Sequence, residues 1–553
     1  MHAIKAAKRT PTTGPVRPTC APPVPSTAFA NTHREPARPT HCDVLVVGGG
    51  INGAGIARDL AGRGVSVVLV EQHDLAQHTS SASTKLIHGG LRYLEYYEFG
   101  LVRKALAERE RLLRSAPHIM WPLRFVMPHD PSMRPVWMVR AGLFLYDHLA
   151  RRELLPASRT VDLTRHPAGA PLHKRFTKGF VYSDGWVDDA RLVVLNAVDA
   201  AAHGAAVLTR CRCSAAQRDA SGWRVRLQSA DGAEWPLQAR ALVNAAGPWA
   251  EQFLRRGVAR HAETKALRLV KGSHIVVPRL FQHDHAYILQ NPDKRIIFAI
   301  PYEGDFTLIG TTDVDHPGGA DDEVRAGADE IAYLCEQASR YFERRLTPAD
   351  VVWTYAGVRP LLDEEGSAAS VTRDYVLALD GDAGAPLLSV WGGKITTFRK
   401  LAEEAGDRLA PLVGGGAAWT ADALLPGGDL SAWIGPPRRP DMDFERFVTA
   451  LGQARPALDP RLLRRWARAY GSRVQHLLDD ADGLGREVAP GVHEAELRYL
   501  VRHEWARSAD DMLWRRSKLG LHLTADQRQA VADWFDTALR PPAAPAAREA
   551  SWN

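Results

Sequence analysis

The stretch that most constrains this chain runs from residue 44 to residue 71. Residues 44–47 (Val-Leu-Val-Val) form an apolar, β-branched run typical of a strand buried on both faces. Residues 48–53 (Gly-Gly-Gly-Ile-Asn-Gly) follow at once and match the pattern G-x-G-x-x-G. A second apolar run, residues 65–70, ends at the acid Glu71. A strand, a glycine turn, a helix, a strand and an acid in this order predict a Rossmann-type unit that binds an adenine dinucleotide.

Each element of this unit has a physical task. Gly48 allows the tight turn, Gly50 lets the backbone approach a pyrophosphate, and Gly53 lets the helix pack closely on the strand. The helix N-terminus then faces the phosphates. The carboxylate of Glu71 accepts hydrogen bonds from a ribose and would repel a 2′-phosphate, so NADP is disfavoured.

Residues 80–95 read Ser-Ser-Ala-Ser-Thr-Lys-Leu-Ile-His-Gly-Gly-Leu-Arg-Tyr-Leu-Glu. From the residues alone, this run is either a polar surface loop or a backbone that lies flat against a flavin ring, with His88 and Arg92 at the ring's edge. The run resembles the signature of the FAD-dependent glycerol-3-phosphate dehydrogenases, respiratory enzymes of the D-amino-acid-oxidase-like flavoprotein superfamily. The resemblance covers nearly everything from residue 42 to residue 539.

The resemblance implies FAD as cofactor and oxidation of sn-glycerol 3-phosphate to dihydroxyacetone phosphate, with electrons passed to ubiquinone. Only one dinucleotide fingerprint is found, whereas a flavin reductase fed by NADH needs a second, and residues 414–416 (Gly-Gly-Gly) do not follow a strand. Two alternatives stay open. One is an oxidase of the same fold that uses oxygen, and the other is a dinucleotide-binding protein without turnover.

The resemblance also assigns site residues. Arg359 and Arg92 are expected to bind the phosphate, because guanidinium binds phosphate in a bidentate manner. His274 matches the family's candidate general base, and a neutral imidazole can accept the proton of the substrate hydroxyl. Which residue takes that proton stays open. The predicted catalytic residues are His274, Arg359 and Lys394, and the predicted substrate-binding residues are Arg92, Tyr93, Thr312 and Arg359. The predicted FAD-binding residues are Gly48, Gly50, Gly53, Glu71, Ser81, Ser83, His88, Gly89, Ala246, Gly247, Gly393 and Thr396.

The predicted fold class is α/β, with a Rossmann-type FAD-binding domain, an interleaved substrate domain of mixed or antiparallel sheet, and an all-helical C-terminal cap. Alternating strands over residues 268–312 support the second domain. The expected division of the chain is a disordered basic tail (1–40), an FAD-binding domain (41–116, 185–265 and 355–412), a substrate-binding domain (117–184 and 266–354), a linker (413–440), a helical domain (441–540) and a tail (541–553).

Charge and cysteine content exclude other classes of function. The formal net charge is +6, but residues 1–40 hold six basic residues and one acid, and the rest of the chain holds 64 basic and 63 acidic residues. The excess therefore belongs to the tail and does not indicate nucleic-acid binding. Five cysteines in 553 residues suit a reducing compartment, and no metal site is predicted.

Two further segments have open interpretations. Residues 135–149 are apolar, aromatic and flanked by arginines, which indicates either a buried core helix or a helix on a membrane surface. No run is long and apolar enough to span a bilayer. Together with this stretch, the resemblance to the respiratory family implies a peripheral protein at the cytoplasmic face of the inner membrane. A homodimer is also considered. Residues 499–516 are highly charged and are expected to form a solvated helix pair.

Overall fold

The structure, a computed structural model, describes residues 38–131, 134–259, 264–362, 374–381 and 384–539. The predicted tail at 541–553, and all but the end of the tail at 1–40, lie outside these residues.

The strands of the described residues, in chain order, are β1 (His41–Val47), β2 (Val67–Glu71), β3 (Leu86–Ile87), β4 (Met120–Pro128), β5 (Arg159–Asp162), β6 (Lys178–Val187), β7 (Ala206–Thr209), β8 (Cys211–Arg218), β9 (Trp223–Ser229), β10 (Glu234–Asn244), β11 (Val258–Ala259), β12 (Leu267–Pro278), β13 (Ala286–Gln290), β14 (Ile296–Tyr302), β15 (Phe306–Gly310), β16 (Val314–Asp315), β17 (Trp353–Leu362), β18 (Val376–Asp380), β19 (Leu387–Trp391), β20 (Glu487–Ala489) and β21 (Val492–His493).

The α-helices of the same residues are α1 (Ile51–Gly62), α2 (Phe99–Ser115), α3 (Val136–His148), α4 (Asp189–Ala202), α5 (Ala250–Gly257), α6 (Ala328–Ser339), α7 (Phe398–Val413), α8 (Ser431–Ile434), α9 (Pro440–Ala454), α10 (Pro460–Tyr470), α11 (Gln475–Leu478), α12 (Glu494–His503) and α13 (Ala525–Ala538).

The first sheet is built around a parallel core in the order β7-β2-β1-β10-β19. Strand β10 is long. Its first half pairs antiparallel with β9, and its last residues pair in parallel with β19. Helices α1, α4 and α7 cover one face, where Val44, Leu60 and Leu401 are fully buried. The parallel strands are apolar on both faces for this reason, and the predicted Rossmann-type unit is confirmed.

The second sheet is mixed and runs in the order β16-β12-β15-β14-β13-β4-β6-β3, with β17 paired to β12 and β5 to β6. Helix α6 packs on one face through Leu334 and Ala338. Strand β17 pairs antiparallel with β12 over its whole length, from Trp353 to Leu362. The expected boundary at residue 355 is therefore corrected: residues 355–362 belong to the second sheet.

Helices α9, α10, α12 and α13 surround a separate apolar core that includes Phe447, Trp466 and Leu500. The segment expected to be a linker, residues 413–440, is packed and not free. Trp419 Nε1 donates a hydrogen bond to the carbonyl oxygen of Asp59 at 3.0 Å, and Thr420 is buried. The predicted α/β class with a second, mixed sheet and a C-terminal helical region is confirmed.

The charged segment 499–516 is not a solvated helix pair, and that expectation is corrected. Glu504, Asp511 and Arg516 are each fully buried. Arg191 of α4 binds Glu504 with both terminal nitrogens, one of them at 2.9 Å. Arg516 donates to Asp74, which follows β2, at 2.8 Å. These ion pairs attach the C-terminal helices to the first sheet. A sequence pattern shows these charged residues but not their ion-pair partners, which lie in distant segments of the chain. The burial of the charges therefore cannot be predicted from the pattern.

Helix α3 lies at the surface, so the interpretation of residues 135–149 as a buried core helix is wrong. Trp137 is 69% exposed and Phe144 is 57% exposed. Only Leu143, Tyr146 and Asp147 are buried within α3. In the parts of the chain that the structure describes, no helix combines the length and the apolar character needed to cross a bilayer.

Candidate active site

A cavity of about 510 Å³ opens where β1, β2 and β10 end. This is the edge at which parallel α/β sheets bind ligands. Its wall is made of the glycine turn after β1, the residues after β2, the start of α5 and the turn after β19. Six of the residues predicted to bind FAD line this cavity: Gly48, Gly50, Glu71, Ala246, Gly247 and Gly393.

The glycine turn has the geometry that the sequence predicts. Gly48 has a φ of +113°, and a Cβ there would lie 2.4 Å from the carbonyl oxygen of Ala245. A Cβ on Gly53 would lie 1.9 Å from the carbonyl oxygen of Gly48, so only glycine lets α1 pack this closely on the turn. Gly50 precedes α1 in an extended conformation. The first turn of the helix therefore faces the cavity, as a pyrophosphate site requires.

The acid at the end of β2 is held by backbone groups. Glu71 accepts hydrogen bonds from the N–H of Gly49 at 2.7 Å and from the N–H of His73 at 2.8 Å. Burial raises the pKa of the Glu71 carboxyl above its ordinary value, and these two N–H groups oppose the rise. Each carboxylate oxygen can accept more than one hydrogen bond, so the group can still bind ribose hydroxyls.

Asn52 supplies a polar atom that the protein itself does not satisfy. Its Nδ2 donates to the carbonyl oxygen of Gly392 at 3.1 Å, which ties α1 to the turn after β19. Its Oδ1 is buried and accepts no hydrogen bond from the described residues. Asn52 lines the cavity, so a bound group with a hydroxyl or N–H can satisfy this oxygen.

The far end of this cavity is lined by His73, His78 and Trp249. The two imidazoles share a hydrogen bond of 2.9 Å, and His78 meets the Trp249 indole edge to face with ring centroids 4.6 Å apart. Burial lowers the pKa of His78 to about 4, with a further contribution from His73 and Arg515. The ring is therefore neutral at pH 7.

A second cavity of about 370 Å³ adjoins the first. Both cavities are lined by the same six residues, which are Ile51, Thr79, Ser80, Pro360, Gly392 and Gly393. The rest of the second wall comes from the loop after β2, from the second sheet and from the turn before α7. The predicted residues Ser83, His88, Arg92, Tyr93, Arg359, Lys394 and Thr396 all lie in it.

The second cavity is lined by four basic side chains, Arg92, Arg295, Arg359 and Lys394, and by three acids, Asp184, Asp313 and Asp374. Arg359 donates to Asp313 Oδ1 at 2.5 Å, and its Nη2 lies 3.4 Å from Thr311 Oγ1. The ammonium nitrogen of Lys394 lies 4.1 Å from the ring centroid of Tyr93. Arg92, Arg359 and Lys394 are the side chains of this wall that can bind a phosphate dianion by charge-assisted hydrogen bonds.

His274 lies behind the wall of this cavity and does not line it. The imidazole is 1% exposed, and its Nε2 shares a hydrogen bond of 2.9 Å with Thr84 Oγ1. Thr84 does line the cavity. Burial lowers the pKa of His274 well below its ordinary value, and Arg359 and Lys85 act in the same direction. The neutral ring therefore faces the cavity only through the threonine hydroxyl.

Three other predicted residues also lie outside the walls of both cavities. Thr312 is buried away from the cavity, where its hydroxyl donates to Glu330 at 2.7 Å, and Thr311 lines the wall instead. The Ser81 hydroxyl donates to the carbonyl oxygen of His78 at 3.3 Å and lines neither cavity. Gly89 lies under the wall, where its N–H donates to Tyr146 Oη at 2.9 Å.

Several wall residues are not among those predicted from the sequence. Ser80 accepts a hydrogen bond from the N–H of Ile51 at 3.0 Å and so joins the loop to the start of α1. Thr84 and Asp313 are close in sequence to predicted residues, but no spacing rule indicates that their side chains, and not those of the adjacent residues, line the cavity. Asn52, inside the glycine pattern, had a usable signal, because a polar side chain in the first turn of that helix lies next to the ligand. Burial also lowers the pKa of His88, which leaves that wall imidazole neutral.

A dinucleotide cradle that shares a wall with a cavity lined by cations defines an oxidoreductase in which a bound dinucleotide meets a small anionic substrate. Comparisons with known proteins agree. A family model described as FAD dependent oxidoreductase matches residues 43–399, and one described as the C-terminal domain of alpha-glycerophosphate oxidase matches residues 418–540.

Relatives and solved structures extend over most of the chain. The glycerol-3-phosphate dehydrogenase of Pseudomonas aeruginosa is 52% identical over 90% of this chain and 95% of its own length. The D-erythritol 1-phosphate dehydrogenase of Brucella abortus is 52% identical over 91% of this chain and 99% of its own length. The structure of the glycerol-3-phosphate dehydrogenase from Bacillus halodurans, complexed with FAD, has a TM-score of 0.71, 29% identity and 90% coverage of both chains.

This chain therefore belongs to the family of FAD-dependent oxidoreductases, and the predicted resemblance and cofactor are confirmed. The residues present fit FAD. The glycine turn and the start of α1 would hold the pyrophosphate, Glu71 the ribose, and Asn52 Oδ1 a polar group of the cofactor. The six residues shared by both cavities mark where the flavin ring would meet a substrate.

Proposed function

We propose that this protein is a quinone-linked dehydrogenase that oxidises sn-glycerol 3-phosphate at C2 to dihydroxyacetone phosphate. The observation that carries the proposal is the position of Arg92, Arg359 and Lys394 in a cavity that shares its wall with the dinucleotide cavity. A phosphorylated alcohol fits such a cavity, because the cations hold the phosphate while the alcohol carbon reaches the shared wall. The names of the relatives support the same substrate.

In this proposal, different residues of the chain bind the phosphate and accept the proton. Arg359, oriented by Asp313, forms a fork for two phosphate oxygens, and Arg92 and Lys394 add charge. When FAD is bound, its flavin accepts the hydride that leaves C2. The buried, neutral His274 accepts the proton of the C2 hydroxyl group through Thr84, whose Oγ1 lies 2.9 Å from His274 Nε2.

The decisive experiment uses the purified wild-type protein. It should be yellow, acid precipitation should release the flavin to the supernatant, and glycerol 3-phosphate should bleach the flavin under anaerobic conditions. Activity should then require a dye or a short-chain quinone. Stoichiometric oxygen consumption without a quinone would establish the oxidase alternative. A protein that binds no flavin, or whose flavin is not reduced by any polyol phosphate, would contradict the proposal.

A second candidate substrate is D-erythritol 1-phosphate, because the Brucella relative that bears this name matches the chain over 99% of that relative's length. Both substrates have a phosphate and a neighbouring secondary alcohol, so Arg359 and the shared wall serve either one. They differ in the length of the polyol. Comparing kcat/KM for the two phosphates separates the candidates. A preference of tenfold or more for the longer polyol, about 1.4 kcal/mol, would replace glycerol 3-phosphate in this proposal.

We also propose that the protein works on the membrane surface, at the cytoplasmic face, and reduces ubiquinone there. The support is an aromatic patch on and beside α3, which we define by its large exposed apolar side chains: Tyr97, Phe99, Trp137, Met138, Phe144 and Leu145. Arg134, Arg140, Arg151 and Arg152 flank it. Apolar side chains can enter the headgroup region while arginines bind anionic lipid.

The aromatic patch is close to the substrate cavity. Val136 and Val139 of α3 pack in the same apolar cluster as Leu91, Tyr93 and Leu94. Those three residues belong to the loop that carries the wall residues Arg92 and Tyr93. A quinone bound at the patch would therefore lie near the loop that covers the flavin end of the site.

The aromatic patch can be tested with liposomes. The double change Trp137→Ser and Phe144→Ser should weaken binding to anionic vesicles and the rate with a lipid-embedded quinone, and should leave the dye-linked rate unchanged. Leu143 is not used, because it is 1% exposed and its loss would damage the core. The matched control is Leu424→Ser with Met442→Ser, which removes two exposed apolar side chains outside the patch. Equal loss of vesicle binding in both double variants would contradict the assignment.

A further inference from the structure

An unbroken aromatic column connects the C-terminal helical region to the substrate cavity. We define it as Trp514, Trp353, Tyr355 and His274. Trp514 stacks on Trp353 of β17 with centroids 4.7 Å apart and planes 17° apart. Trp353 and Tyr355 are 5.2 Å apart, and Tyr355 stacks on His274 at 4.6 Å and 10°. The column crosses from the second sheet to a residue that belongs to the C-terminal core.

Both ends of the column are fixed. At the cavity end, His274 Nε2 is bonded to Thr84 Oγ1 at 2.9 Å, and Thr84 lines the cavity. At the other end, Trp514 fills the space beside Gly520, where a Cβ would lie 2.4 Å from the indole. The positions of Trp514 and of the Thr84 hydroxyl are thus connected through continuous ring contacts.

Stacking is what fixes the orientation of the His274 ring. Its Nδ1 is buried and has no hydrogen-bond partner among the described residues, so the Thr84 hydroxyl is the polar contact of this imidazole. Gly310 closes the opposite side, since a Cβ there would lie 2.0 Å from His274 Cδ2. The flat face of Tyr355 and the backbone of Gly310 therefore hold the ring between them.

Tyr355 also holds the loop that carries Thr84. Its hydroxyl donates to the carbonyl oxygen of Ser83 at 2.9 Å. On the other side of Thr84, the Lys85 ammonium lies 5.0 Å from the Tyr355 ring centroid and pairs with Asp189 at 2.8 Å. Both neighbours of Thr84 thus contact the same tyrosine.

We propose that the aromatic column makes the C-terminal region part of the proton-accepting machinery. Trp514 supports Trp353 and Tyr355, Tyr355 orients His274, and His274 receives the substrate's proton through Thr84. As C2 loses its hydrogen with the electron pair to the flavin, the C2 hydroxyl proton passes to Thr84 Oγ1, and the threonine's own proton passes to His274 Nε2. The products are a carbonyl group and an imidazolium. Thr84 is then a catalytic residue, and Tyr355, Trp353 and Trp514 are positioning residues. This inference rests on the proposed function.

The first test compares Trp514→Ala, Trp514→Phe and Trp534→Ala. Trp534 also packs on the C-terminal core but is not in the column. The rate of flavin reduction by glycerol 3-phosphate should fall by about tenfold or more in Trp514→Ala, with KM and FAD content little changed, because misplaced catalytic groups lose rate rather than binding. Trp514→Phe should restore most of the rate. Trp534→Ala should keep it, even where its thermal midpoint is lowered.

A double-mutant cycle separates positioning from general stability. Thr84→Val should lower the rate of flavin reduction by about 100-fold, the size of a lost general base pathway. Trp514→Ala should then cost nothing more in the Thr84→Val background, because the two residues act on one proton path. Additive losses would overturn the inference. If Trp514→Ala does not fold, Trp353→Leu interrupts the column from within β17 and serves in the same cycle.

A readout without catalysis uses ring ¹⁵N resonances of the histidines, with His274 assigned from a His274→Gln variant. The Trp514→Ala change should shift the His274 resonances and their titration, while Trp534→Ala should not. Unchanged His274 resonances in Trp514→Ala would overturn the inference. If no polyol phosphate reduces the flavin of the wild-type protein, the proposed function fails, and the ¹⁵N spectra still decide whether the column orients His274.

Discussion

The two adjoining cavities are built in different ways. The glycine turn of the dinucleotide cavity is made by backbone: Gly48, Gly50 and Gly53 give it its shape, and Glu71 beside it is held by two backbone N–H groups. The second cavity is made by side chains that come from the loop after β2, the second sheet and the turn before α7. The glycine turn can be altered only by breaking the fold. The second can be changed one side chain at a time.

This difference accounts for how one cofactor unit can serve several substrates. The glycine turn does not tolerate substitution, because a Cβ on Gly53 would lie 1.9 Å from the carbonyl oxygen of Gly48. Arg359, by contrast, is 39% exposed at its side chain and is oriented by one acid, Asp313. Substitutions should therefore give all-or-none effects at the glycine turn and graded effects at the second cavity.

The largest effect is expected from Gly53→Val. The new side chain would overlap the Gly48 carbonyl, so α1 cannot pack on the turn and FAD cannot bind. The variant should purify colourless, with activity at background. The matched control is Gly142→Ala in α3, where a Cβ meets nothing within 4 Å. That control should keep its FAD and gain about 0.5–1 kcal/mol of stability. A yellow, active Gly53→Val protein would mean that the turn is not the rigid part of the site.

A smaller, graded effect is expected from Arg359→Ala. Hydrogen bonds to charged groups contribute about 1.5–3 kcal/mol, so kcat/KM for glycerol 3-phosphate should fall at least tenfold. The rate with unphosphorylated glycerol should fall far less, and FAD content should not change. The control Asp313→Asn keeps the guanidinium and removes only the acid that orients it, so its loss should be smaller. An equal loss for both substrates would show that Arg359 serves the flavin or the fold.

The smallest effect is expected from low pH, which should lower the free energy of unfolding through His78 in the wall of the dinucleotide cavity. The pKa of His78 is lowered to about 4, whereas in the unfolded chain it is near 6.5. Between pH 6.5 and pH 4, His78 is protonated in the unfolded state but not in the folded state. The free energy of unfolding therefore falls as the pH falls from 6.5 towards 4. His78→Gln should lose about 1 kcal/mol less unfolding free energy than the wild type between pH 7 and pH 5, with allowance for solvent screening. Denaturant unfolding of the wild type and of His78→Gln at pH 7 and pH 5 measures this difference. Identical pH dependence in wild type and His78→Gln would contradict it.

The sequence could predict the parts of the fold and site that depend on short-range patterns. The glycine turn and Glu71 follow from spacing alone, because strand, turn and helix must succeed one another within a few residues. The loop at 80–95 lines the second cavity through Ser83, His88 and Arg92. A sequence pattern cannot separate Ser80 from Ser81, since only the structure shows which hydroxyl reaches Ile51.

Other features of the site depend on long-range packing. Thr312 follows the wall residue Thr311, yet its hydroxyl donates to Glu330 behind the wall. His274 reaches the cavity only through Thr84, and the pairing that places it joins β12 to β15 and β17. The charges at 499–516 were expected to be solvated because their partners, Arg191 and Asp74, lie hundreds of residues away. In α3 the pattern was apolar enough for a core helix, but nothing in the sequence shows that no element covers it.

The order of strands in the first sheet has a consequence for how the chain folds as it is made. Strand β1 pairs with β10, and β10 pairs in turn with β19, so the parallel sheet is incomplete until residue 391 has been synthesised. The ion pair of Arg191 with Glu504 joins residues 313 positions apart, and that of Asp74 with Arg516 joins residues 442 apart. Until the last helices emerge, apolar strand faces and unpaired charges stay exposed on the nascent chain. A chain of this kind should fold late and slowly and should depend on chaperones, and truncation near its C-terminus should yield aggregates rather than a smaller active enzyme.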